Sequence, residues 1–67
     1  MAKLYITTRE LSVLELASEG FTNYEIGEKL FMSKRTAEGI RQHLIFRTGV
    51  RNTAALITFA FRAGIIR

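Results

Sequence analysis

Residues 22–37 read TNYEIGEKLFMSKRTA, and the fold turns on this stretch. Thr22 and Glu25 stand three apart, as in a capping box. The Thr22 hydroxyl accepts from the Glu25 amide while the Glu25 carboxylate accepts from the Thr22 amide, so a helix begins here. Ile26 and Leu30 form its inward stripe, with Phe31 at the margin. Ser33 is placed to cap a second helix three residues after Leu30. So short a link forces the two helices to cross steeply, the geometry of a helix-turn-helix. Met32 fills the turn from inside. Gly27 lies in mid-helix, where glycine costs up to about 1 kcal/mol against alanine. That cost is explained if another helix crosses closely at this point.

Working outward, Thr7 and Glu10 repeat the capping box, and Val13, Leu14 and Ala17 mark the buried stripe, with Leu11 and Leu16 beside it. Gly20 is a natural left-handed stop, and Ile6 precedes the cap, placed to pack on the first turn. Downstream, Ala37, Ile40, Leu44 and Thr48 share one face, and Gly49 ends that helix. Asn52 caps a fourth helix, in which Leu56, Ile57, Phe59, Ala60 and Phe61 are too many apolar positions for one narrow stripe. Gly64 terminates it, and Ile65 folds back on the last turn. The expected fold is all-α, with four helices over about 8–18, 23–31, 34–48 and 53–63, and residues 1–67 forming a single domain.

Composition narrows the function. The chain has 67 residues, 48% of them hydrophobic, which suits one globular domain and leaves no room for a second. With no Cys there is no disulfide framework and no thiolate metal site. All six acids are Glu and are scattered, and the one His has no second imidazole to join, so no metal or other cofactor is expected. No nucleophile is paired with a base, so the domain is not expected to be an enzyme. No apolar run approaches the roughly 20 residues that span a bilayer. The expectation is a soluble, cytoplasmic, nucleoid-associated domain with no membrane partner.

The net charge of +4 is unevenly spread. Residues 1–33 sum to −2, residues 34–51 to +4, and Arg62 and Arg67 add the rest. A basic segment centred on one helix is what a polyanion-binding face requires. With Ala37, Ile40 and Leu44 inward, about 100° per residue turns Arg35, Glu38, Gly39, Gln42 and Phe46 outward. An α-helix fits the major groove of B-form DNA. There Arg35 can fork onto guanine, Gln42 can pair with adenine, and Glu38 can accept from cytosine. For Glu38 an i,i+4 pairing along its own helix is an equal alternative. Gly39 reads nothing itself but permits close approach. Lys34, Thr22, Asn23, Thr36, Arg41, Arg47 and Arg51 border this surface as candidate phosphate contacts. His43 lies on the flank, and Tyr5 and Tyr24 are expected as packing groups with wetted hydroxyls.

The order of these residues resembles the LuxR-type, also called GerE- or NarL-type, DNA-binding domain of bacterial transcription regulators. The likeness runs through Ile6-Thr7, Arg9-Glu10, Val13-Leu14, Ala17 and residues 19–23, then Glu25-Ile26. It continues through residues 30–33, Thr36-Ala37, residues 49–52 and residues 64–66, spanning essentially residues 4–66. The resemblance implies a third helix that reads bases with Lys34, Arg35, Glu38, Gly39 and Gln42 at or near them. It places Thr22, Thr36, Arg41, Arg47 and Arg51 near the backbone. It also implies a dimer formed through the fourth helix, double-stranded DNA in two half-sites, and action alongside RNA polymerase. Members stand alone or behind a receiver or ligand-sensing domain.

Three positions depart from that pattern. Ile40 stands where the family generally has His, Thr48 where it has a long apolar residue, and Phe46 where it has a polar or basic one. A buried Thr48 would forgo roughly 1–2 kcal/mol of packing relative to leucine. Phe46 points to an apolar patch with Phe59 or Phe61, which suits self-association, so Phe46, Ile57 and Phe61 are the dimer-interface candidates. The same patch supports a second reading, a protein-interaction module that binds or sequesters another regulator through its fourth helix.

Overall fold

The computed structural model describes residues 5–67 as four helices in the order α1 (Thr8–Ser18), α2 (Asn23–Leu30), α3 (Lys34–Thr48) and α4 (Thr53–Arg62). Each begins at the expected cap. Thr7 accepts from the Glu10 amide at 3.0 Å and Thr22 from the Glu25 amide at 3.2 Å, and both capping boxes are reciprocated. Ser33 accepts from the Thr36 amide at 3.0 Å and Asn52 from the Ala55 amide at 2.8 Å.

Two helices end in the same hydrogen-bonding pattern. After α1, Phe21 N–H donates to the Leu16 carbonyl and Gly20 N–H to that of Ala17. After α4, Ile65 N–H donates to the Ala60 carbonyl at 2.8 Å and Gly64 N–H to Phe61 at 3.1 Å. These are Schellman closures, with Gly20 and Gly64 at positive φ, and the second delivers Ile65 and Ile66 to the core. Ile66 is buried, a core position that the helical periodicity does not reveal because it lies beyond the last helix.

The interior is made of two apolar groups. Val13, Ile26 and Ala37 join α1, α2 and α3, with Leu30, Met32 and Phe21 packed around them. Leu14, Leu44, Leu56, Ala60 and Ile66 join α1, α3, α4 and the C-terminal segment. Neighbouring Val13 and Leu14 thus serve different groups, while half-buried Ile40 packs against both. The helices α2 and α4 do not pack on each other.

Several local expectations are corrected. Phe31 is not an inward helical residue. It caps α2 in the left-handed conformation at φ 57°, and its side chain is 97% exposed. Ala63 likewise caps α4 rather than extending it. Tyr5 and Tyr24 are largely exposed instead of packed. At Gly27 the close approach expected of a crossing helix is present, made by the turn and by the first residue of α3. A Cβ there would lie 2.5 Å from the Met32 carbonyl oxygen and 3.3 Å from the Lys34 nitrogen. Thr48 is only half-buried, and its hydroxyl donates to the Leu44 carbonyl at 2.8 Å.

Candidate nucleic-acid interface

The third helix is continuous over its 15 residues. Its inward face is fixed by Ala37 and Leu44, both fully buried, with Ile40 between them. The opposite edge is therefore turned to solvent, and Lys34, Arg35, Glu38, Gly39 and Gln42 are all exposed along it. Nothing lies within 4 Å of the position a Gly39 Cβ would take, so the middle of this edge is open. Glu38 makes no ion pair with Lys34 among the described residues, which leaves its carboxylate free at the surface. His43 is exposed on the flank.

The bordering residues divide into two sets. Arg51 is exposed just before α4, and Thr22 is exposed at the α2 cap. Thr36 is half-buried and its hydroxyl accepts from Ser33 at 2.9 Å. Of the three, Thr22 and Arg51 present their polar groups at the surface.

Arg41 and Arg47 have partners within the chain. One Arg41 nitrogen donates to the Asn23 side-chain oxygen and the other to the Thr53 hydroxyl at 2.9 Å. Arg47 donates to Glu10 Oε2 at 2.9 Å and to the Tyr5 carbonyl. The Arg47 charge is thus neutralised by a carboxylate, whereas both Arg41 partners are uncharged. Glu10 also accepts from the Thr7 backbone amide at 3.0 Å, and that bond, followed by the Arg47 guanidinium, holds its carboxyl below the ordinary value despite partial burial. Glu25 is lowered chiefly by the backbone amide of Thr22 and then by the Thr22 side chain. These partners lie 12 to 42 residues from their arginines, and no local pattern in the sequence announces them.

The apolar candidates separate as well. Phe46 is 84% exposed and Phe61 47% exposed, whereas Ile57 is half-buried against the second core group. Phe59 is half-buried too.

A short α2–α3 unit braced by α1, with a solvent-facing basic edge on the second of its helices, defines a helix-turn-helix DNA-binding domain of transcription regulators. Residues 5–60 match the GerE family, described as bacterial regulatory proteins of the luxR family, and the chain belongs to it. The chain is also 33% identical over 61 residues to the oxygen regulatory protein NreC of Staphylococcus aureus, with the same figures for strains JH9, Mu3 and NCTC 8325. That alignment covers 91% of this chain but 28% of NreC, so the chain spans just over a quarter of those relatives. Among the described residues, no helix is long and apolar enough to cross a membrane.

Proposed function

We propose that residues 1–67 form one unit that binds double-stranded DNA sequence-specifically, with α3 lying in the major groove. The single observation that carries this reading is the open edge of α3, from Lys34 and Arg35 to Gln42, on the face opposite its buried stripe. Lys34, Arg35, Glu38, Gly39 and Gln42 meet the base edges in this arrangement. Thr22, Asn23, Thr36 and Arg51 meet the flanking phosphates, which set the register in which the bases are read. Arg47 is assigned to the internal pair with Glu10 instead. Regulation follows from where the protein is placed, as a homodimer on paired half-sites, acting with RNA polymerase or another regulator at the nucleoid.

Selection of bound duplexes from a random pool, repeated at two salt concentrations, tests this. A shared motif is expected, recovered as paired half-sites, with affinity falling as salt rises because bound cations displace counterions. In a titration, Arg35→Ala should reduce discrimination by about 1–3 kcal/mol, with a smaller loss on random duplex from the missing charge. Equal loss on specific and random DNA would overturn the assignment of Arg35.

The exposure of Phe46 and Phe61 favours a second reading, in which the fold binds another regulator through α4. Protein association without any duplex binding at low salt would select that reading over the first.

A further inference from the structure

We infer that Arg41 is a positioning residue that holds the start of α2 and the start of α4 against the reading helix, and that it does not act as a phosphate ligand. The inference builds on the proposed DNA-binding reading, but its structural half stands apart from it. The guanidinium bonds to Asn23 and to Thr53, which are the first residues of α2 and of α4. These helices do not pack on each other and belong to different core groups. Arg41 is the one side chain among the described residues that hydrogen-bonds to both. It follows directly after Ile40, which spans the same two groups through apolar contact.

The chemistry suits this role. A planar guanidinium presents nitrogens in a rigid fork and can hold two acceptors in fixed directions, whereas a lysine ammonium is a single point on a flexible stem. Arg41 is half-buried, and both of its outer nitrogens are engaged. The start of α2 carries Thr22 and Asn23, proposed at phosphates, and α3 carries the proposed base contacts. Specific recognition needs these two sets in register, while random duplex is held by charge alone. The contribution of Arg41 therefore falls on discrimination.

The experiment uses the whole chain as Arg41→Lys, Arg41→Gln and Thr53→Val variants, with Thr53→Val removing the hydroxyl and keeping the shape. In the free protein, amide NMR of Thr53→Val should show shifted Asn23 and Tyr24 resonances, although α2 and α4 do not touch. On DNA selected for the parent protein, Arg41→Lys should lower the ratio of specific to random affinity about tenfold, and its salt dependence should be unchanged because the charge is kept. Arg41→Gln, where it folds, should lower that ratio equally. Two results would overturn the inference. One is unmoved Asn23 and Tyr24 amides in Thr53→Val. The other is a parent-like Arg41→Lys beside an Arg41→Gln whose salt slope drops by about one, as loss of a phosphate contact requires. Should the parent protein select no duplex at all, the DNA reading fails while the amide measurement still decides the role of Arg41.

Discussion

Arg47, in the last turn of α3, donates to Glu10 in the first turn of α1 across 2.9 Å. The same carboxylate closes the capping box, taking the Thr7 amide on its other oxygen. One side chain thereby fastens the start of α1 to the end of α3. Its low pKa makes this contribution depend on pH. A carboxyl depressed in the folded state stabilises fully above its unfolded value, near 4.5, and loses that effect as pH falls through the folded value. Melting followed from pH 6 to about pH 3 should show a steeper acid loss in the parent protein than in Glu10→Gln. Glutamine keeps the capping geometry, so at pH 7 the variant should lose only about 1 kcal/mol or less. An identical acid limb in both would refute the role given to Glu10.

Arg47 and Arg51 should behave as opposites. Arg47→Ala should lower the melting temperature and leave the salt slope of duplex binding in place, since its charge is already paired. Arg51→Ala should spare stability and reduce that slope by about one, because an exposed cation at the proposed phosphate border releases one counterion. Titrations at three or more salt concentrations beside thermal melts separate the two.

Two glycines in helices give contrary expectations for the same substitution. Gly27→Ala gains intrinsic helix propensity of about 1 kcal/mol but drives its methyl into the Met32 carbonyl, 2.5 Å away. A backbone atom in a tight turn cannot step aside like the tip of a side chain, so overpacking of about 1–3 kcal/mol should dominate. Gly39→Ala meets nothing within 4 Å and should stabilise the protein by up to about 1 kcal/mol. Chemical denaturation of both variants checks the signs.

Phe31 holds a left-handed backbone with its ring in water. Phe31→Gly removes the clash between Cβ and the backbone, loses almost no packing, and should raise stability by about 0.5–1 kcal/mol. Unchanged or reduced stability in a denaturant titration would show that the ring contributes contacts of its own.

The sequence carried the helices and their order because caps and stops are local chemistry. Thr7, Thr22, Ser33 and Asn52 each act on amides three residues away. The open edge of α3 was legible for a similar reason, since Ala37, Ile40 and Leu44 fix the inward side by periodicity alone. The internal partners of Arg41 and Arg47 were not legible. They depend on how helices distant in sequence meet, and an arginine reads alike whether it faces a phosphate or a carboxylate. The hydrophobicity of Phe31 suits a core, but the left-handed turn sends its ring outward. The burial of Ile66 follows from the closure after α4, which redirects the chain where periodicity has ended.

Ile40 touches both apolar groups, so α3 cannot roll about its own axis without disturbing packing on two sides. The direction in which Arg35, Glu38, Gly39 and Gln42 project is therefore set from beneath and owes nothing to those four residues. If these four are the lettering proposed above, it can be rewritten without redrawing the page: substitutions confined to it should change duplex preference while the orientation of α3 stays as it is.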